Sequence, residues 1–130
     1  MKTVTRVLLT AALLGVPAAA SAQDVQEITP QEAATHIGQM AKICGHVQSA
    51  SYLDTRDRSP TVMRVGGTYP YERINVIIYG ENRDKFSPSP EEAYRGKDIC
   101  VTGTVDFYDG APSMVVDEPS DVQVQASESQ

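Results

Sequence analysis

Two stretches of this chain are written to one plan, and a fold that ignored the repeat would be hard to build. Ile43-Cys44-Gly45-His46-Val47 and Val101-Thr102-Gly103-Thr104-Val105 both read as strands, and Gly38, Gly45 and Val47 align with Gly96, Gly103 and Val105 at a constant offset of 58. Each strand follows a helix-start signal, Thr29-Pro30-Gln31-Glu32-Ala33 in one case and Ser89-Pro90-Glu91-Glu92-Ala93 in the other. The Thr or Ser suits the cap, Pro the first helical position, and Glu completes a capping box. Helix-then-strand therefore occurs twice in the chain.

Residues 1–22 read as a secretory leader, with Lys2 and Arg6 as its positive start, Val7 to Leu14 as its apolar run and Ala20-Ser21-Ala22 as a small-residue cleavage site. A membrane span fits less well, because Gly15 and Pro17 interrupt the apolar stretch and no positive stop follows it. The expected location is periplasmic or secreted. Residues 23–124 are enough for one small domain and too few for two, and 125–130 read as a disordered tail. Beyond the leader, nine basic residues stand against 17 acidic ones, a net charge of −8, which disfavours nonspecific binding to a phosphate backbone. The basic residues concentrate in the middle: positions 56 to 97 hold eight Lys or Arg against six acids.

Taken in order, Ile28 to Ile37 is expected as a short helix with Ala33, Ala34 and Ile37 along its buried side, stopped by Gly38. Met40 to Ala50 follows as a strand, with Ile43, Gly45 and Val47 pointing inward and Lys42, Cys44, His46 and Gln48 outward. Ser51 to Pro60 is polar and reads as a long loop. Thr61 to Val65 and Arg73 to Tyr79 are strands joined by a Gly66-Gly67 hairpin, the second placing Ile74, Val76 and Ile78 inward and Arg73, Asn75, Ile77 and Tyr79 outward. A two-turn helix is expected at Pro90 to Arg95. The repeated strand then runs from Asp98 to Tyr108, Asp109-Gly110 supplies a tight hairpin, and Ser113 to Asp117 returns as the fifth strand, with Val122 and Val124 as a short final pairing.

Five strands with a short helix between the third and fourth is the element order of the OB-fold, a five-stranded Greek-key barrel, here with an additional N-terminal helix. The chain also resembles a set of small exported bacterial OB-fold proteins. The residues that carry the resemblance are the Thr29-Pro30 helix start, Ile43 to Val47, Pro60 to Phe86 with Tyr69-Pro70 and Tyr79-Gly80-Glu81-Asn82-Arg83, and Gly96 to Val105. It covers nearly the whole of residues 23–124. What it implies is a non-enzymatic binding domain akin to anticodon-binding and other nucleic-acid OB modules.

The OB ligand face uses strands two and three with the loops joining strands one to two and four to five. On this chain those positions are Arg64, Arg73, Asn75 and Tyr79 on the face, Tyr52, Arg56 and Arg58 in the first loop, and Phe107 and Tyr108 near the second. Arginines beside aromatic rings suit the stacking of bases or sugars. Asp54, Asp57, Asp106 and Asp109 edge the same loops and repel phosphate, which suits an envelope protein or glycan partner better. The expected partner is therefore single-stranded nucleic acid or, as the alternative, an envelope protein or glycan in an interaction or stress-protection role.

Cys44 and Cys100 are the only cysteines, they lie on strands that neighbour each other in an OB barrel, and both point outward. In an exported chain that predicts a disulfide. A metal site built from Cys44, His46 and Cys100 with His36 is the competing reading, but the paired spacing of zinc sites is absent and the thiols are expected to oxidise. No cofactor is implied. Catalytic signatures are missing too: there is no nucleophile elbow, metalloprotease motif, phosphate-cradling loop or calcium-loop spacing, so a nuclease or other hydrolase ranks last.

Overall fold

A computed structural model describes residues 3, 10–15, 25–66 and 74–126. Most of the expected leader, the hairpin residues 67–73 with Arg73, and residues 127–130 lie outside that set. Among the described residues no helix is long and apolar enough to cross a membrane.

The elements run β1 (Gln26–Ile28), a 3-10 helix (Pro30–Thr35), β2 (Met40–Tyr52), β3 (Thr61–Val65), β4 (Ile74–Ile78), α1 (Gly80–Arg83), α2 (Pro90–Tyr94), β5 (Asp98–Thr104), β6 (Asp106–Tyr108), β7 (Ala111–Val115), a second 3-10 turn (Pro119–Asp121) and β8 (Val122–Val124). The protein is mainly β. One mixed sheet has the order β6-β7-β4-β3-β2-β5-β8, with β1 added in parallel to β2 and β7 in parallel to β4. All five expected strands are present, as β2, β3, β4, β5 and β7. The expectation of five strands in a closed barrel is corrected in two ways. Eight strands occur among the described residues, and their ladder is an open path from β6 to β8. The additional strands have three residues each; β8 is the short final pairing expected at Val122 and Val124, β6 is the end of the long strand expected to Tyr108, and β1 is too short to show a period in sequence. β6 exists because Val105 is wholly buried and its N–H turns to the Gln39 carbonyl at 2.9 Å, which breaks the long strand expected from Asp98 to Tyr108.

β2 organises the sheet. Its first half pairs with β5 from Met40↔Thr104 to His46↔Asp98, and its second half with β3 from Val47↔Val65 to Tyr52↔Thr61. A bulge between Val47 and Ser49 changes which residues face the core. Ala41, Ile43 and Val47 are buried before it and Ala50 after it, because one extra residue reverses the alternation. The core gathers these residues with Met63, Val65, Ile74, Val76, Ile78, Ile99, Val101 and Met114.

The repeat seen in the sequence is a structural pseudo-two-fold. Ile43 pairs with Val101, its own counterpart at the offset of 58. Around that centre the hydrogen bonds are reciprocal. Gly38 N–H donates to the Val105 carbonyl at 2.7 Å and Gly96 N–H to the Val47 carbonyl at 3.1 Å, while Val105 and Val47 donate back to Gln39 and Lys97, each at 2.9 Å. Gly38 and Gly96 have φ of 85° and 73°, the left-handed turn that brings each helix end into its strand.

The first helix departs from expectation in kind. It is a 3-10 helix, so its buried residues recur every three positions, at Pro30 and Ala33, while Ala34 and Ile37 are exposed. Glu32 does close the capping box, accepting the Thr29 N–H at 3.2 Å and its hydroxyl hydrogen at 2.8 Å. Those two bonds hold its carboxyl below the usual range. α1, a single turn at Gly80–Arg83, is not expected from the sequence.

Candidate functional site

β4 decides where a ligand could sit. Alternation predicts that Asn75 and Ile77 face outward, yet Asn75 is 7 % exposed and Ile77 is 0 %. β4 is a central strand with β3 and β7 on its two sides, and every one of its residues is buried. The chain after β2 folds back on itself, with Leu53 N–H bonded to the Pro60 carbonyl at 2.8 Å and Gly80 N–H to the Arg58 carbonyl at 2.9 Å. Arg58 and Ser59 both have positive φ, 61° and 44°, a strained turn that approaches Gly80 so closely that a Cβ there would lie 3.0 Å from Ser59 Cβ. On the other side the β6–β7 hairpin turns at Asp109 and Gly110, both left-handed at 52° and 76°, as the Asp-Gly signal predicts.

A cleft of about 210 Å³ opens between these two loops, lined by Ser51, Leu53, Arg56, Val62, Arg64, Asn75, Tyr108, Asp109 and Ala111. At its floor Arg64 and Asn75 are directly opposed across β3 and β4. The Asn75 side-chain oxygen is buried with no hydrogen-bond partner among the described residues, a costly arrangement that a donor from a ligand or water would relieve. Arg64 reaches the Ser49 hydroxyl at 3.4 Å. At the rim an Arg56 nitrogen lies 3.6 Å from an Asp109 oxygen, a loose and exposed ion pair of little energetic weight. The cleft thus offers guanidinium donors, a buried amide, a phenol and one carboxylate.

Four of the nine expected ligand residues, Arg56, Arg64, Asn75 and Tyr108, come together here. Four of the other five are placed elsewhere. Arg58 stacks on the Tyr79 ring, 3.7 Å from its centroid, and pairs with Glu81, whose hydrogen bond raises the pKa of the guanidinium. Tyr52 is covered in the same way by Arg83, also at 3.7 Å. Phe107 is 56 % exposed on β6 and pairs in register with Pro112. Arg73 lies outside the described residues.

Arg83 stands in the Tyr79-Gly80-Glu81-Asn82-Arg83 stretch noted from sequence but has no place among the expected ligand residues. It donates to Thr61 at 2.8 Å and to the two Glu91 oxygens at 2.7 and 2.5 Å. That fork raises the Arg83 pKa and holds the Glu91 carboxyl below the ordinary range. Only the spatial meeting of α1 with α2 creates the pair, so no local signal announces it. Leu53 and Ala111 escaped notice as cleft walls because each reads as an ordinary loop or turn residue.

The expected disulfide is present. Cys44 and Cys100 are directly opposed across β2 and β5, with an S–S distance of 2.07 Å. The sulfurs are therefore bonded to each other in place of the metal considered from sequence, and among the described residues no group of three His, Cys, Asp or Glu could hold an ion. His36 is tied back onto its own helix, its Nδ1 2.9 Å from the Glu32 carbonyl.

No family model matches the chain, and no curated protein sequence does. Among solved structures, telomere capping protein Ten1 from Saccharomyces pombe is similar at 13 % identity and a TM-score of 0.44, covering 80 % of this chain and 84 % of that one. Asparaginyl-tRNA synthetase from Entamoeba histolytica, solved in complex with asparaginyl-adenylate, is similar at 18 % identity and a TM-score of 0.48, covering 77 % of this chain. The chain spans 23 % of that synthetase's length. At TM-scores below 0.5 these likenesses do not bear on what the chain binds.

Proposed function

We propose that the chain is an exported, non-enzymatic binding module on an OB-type Greek-key scaffold, and that its cleft takes one unit of a single-stranded nucleic acid. The observation that supports this reading is the opposed pair Arg64 and Asn75 on the cleft floor, with Arg56 and Tyr108 at its rim. Guanidinium groups serve phosphate or a base edge, a tyrosine ring serves a base face, and a buried amide oxygen selects a ligand with an N–H to give. The two-carboxylate, metal or nucleophile constellations of a hydrolase are not needed for such a role.

With two arginines at the cleft, about two phosphate contacts are available. Log K should then fall with log salt at a slope of roughly −1.4 for a single strand. Fluorescence anisotropy of the purified protein with a labelled short oligonucleotide measures this directly. Binding at low salt that weakens about tenfold or more in Arg64→Ala is the expected outcome. Absence of binding at low salt ends the proposal.

One observation favours the alternative, an envelope protein or glycan. Arg58 and Arg83 are each neutralised by a glutamate, Glu81 and Glu91, and each already covers a tyrosine ring. Of the expected arginines, that leaves Arg56 and Arg64 lining the cleft. Glycan binding that is lost in Tyr108→Ala, with no response to oligonucleotide, would select this reading.

A further inference from the structure

The Cys44–Cys100 bond joins β2 and β5 outside the cleft lining, and an imidazole, a carboxylate and a side-chain amide stand close to it. The next opposed pair on the same face, two positions along the ladder, is His46 and Asp98. His46 Nδ1 is 2.8 Å from Asp98 Oδ1. A carboxylate can only accept, so Nδ1 is the donor of this bond, and in the neutral form of the half-exposed imidazole Nε2 is the proton acceptor. From the other side Gln125, just past β8, places its amide Nε2 2.9 Å from Cys100 Sγ and 3.9 Å from Cys44 Sγ. A bond from its own N–H to the Asp98 carbonyl at 2.9 Å fixes it there. A second cleft, of about 370 Å³ and lined by Gly96, Lys97, Asp98, Val124 and Gln125, shares Asp98 and Gln125 with this arrangement.

The two sulfurs are not equivalent. Cys100 is 3 % exposed and sits behind Gln125, whereas Cys44 is partly open. We propose that this disulfide is a thiol–disulfide exchange site for dithiols, with Cys44 as the attacked sulfur, His46 as the proton acceptor, Asp98 as its positioning residue and Gln125 as the donor to the leaving sulfur. In the first step the incoming thiol gives its proton to His46 Nε2 and the thiolate attacks Cys44 Sγ. The Cys44–Cys100 bond breaks and its electron pair leaves on Cys100 Sγ, where the Gln125 N–H stabilises the negative charge. In the second step the other thiol of the dithiol attacks the sulfur joined to Cys44. A cyclic disulfide departs, and Cys44 leaves as thiolate and recovers the proton from His46. The second thiol's proton passes to Cys100. The dithiol is oxidised by two electrons and the protein disulfide is reduced by the same two.

The test is the rate of reduction of the oxidised full chain by dithiothreitol at neutral pH, read by rapid alkylation and mass measurement. His46→Gln and Gln125→Ala should each slow reduction by about tenfold, at or below the low end of the range for one positioned proton-transfer group. Gln125→Glu should slow it further, because a carboxylate of the same shape repels the leaving thiolate. Rates within twofold of the unsubstituted chain in all three variants overturn the proposal. A second arm uses the unsubstituted protein and a monothiol, cysteamine, quenched early. The adduct is expected on Cys44, and an adduct on Cys100 overturns the assignment of roles even if a variant folds poorly.

Discussion

Gly45 shows how much one carbon atom governs. A Cβ built there would lie 2.7 Å from Val65 Cγ1 and 3.1 Å from Pro30 Cγ, so the missing side chain lets β3 and the first 3-10 helix close over β2. Its repeat counterpart Gly103 meets only the Val115 carbonyl oxygen, at 3.9 Å. Gly45→Ala should therefore cost about 1–3 kcal/mol by overpacking, while Gly103→Ala should cost much less. Denaturant unfolding of the two variants checks the asymmetry, and equal losses would refute it. Residue alternation predicted the burial of Ile43 and Val47 correctly and failed at Asn75 and Ile77. Alternation reports which residues share a face, but whether a face meets solvent depends on what folds over it.

At the scale of elements, α1 and α2 have four and five residues and cannot hold themselves together in water. The Arg83–Glu91 fork joins them, with both side chains 19 % exposed. Removing one partner forfeits charge-assisted bonds in a partly dry site, so Arg83→Ala should destabilise the fold by about 2 kcal/mol. The pH dependence follows from the depressed Glu91 carboxyl. Glu91 binds a proton more weakly when folded than when unfolded, so the stability it contributes is fully present above the unfolded value, near 4.5. That stability is lost as the pH falls through the lower folded value. Melting curves between neutral pH and about pH 3 should therefore drop more steeply for the unsubstituted protein than for Glu91→Gln. Parallel curves would show that the fork adds nothing. The helix-start signals located α2 and the first helix, but the pairing of α1 with α2 lay beyond any local pattern.

For the whole molecule, the cross-link ties strands 56 residues apart in sequence. On the chain-entropy account, closing such a loop in the unfolded chain is worth about 4 kcal/mol. Cys44→Ala with Cys100→Ala should then lower the melting temperature by on the order of 20 °C. A fall of less than about 5 °C would mean that packing alone carries the fold. By itself the sequence determined the five principal strands, the doubled helix-then-strand plan, the Asp109-Gly110 hairpin and the pairing of the two cysteines. Each of these is written in short-range periodicity, in glycines with special backbone needs, or in a count of two. Only the tertiary structure decided the pseudo-two-fold that unites the repeats, the open path of the sheet among the described residues, and which arginines reach the cleft. Those outcomes depend on contacts between residues far apart in the chain: Arg58 and Arg83 went to glutamates and tyrosine rings, leaving Arg56 and Arg64 at the cleft, because folding brought those partners within reach.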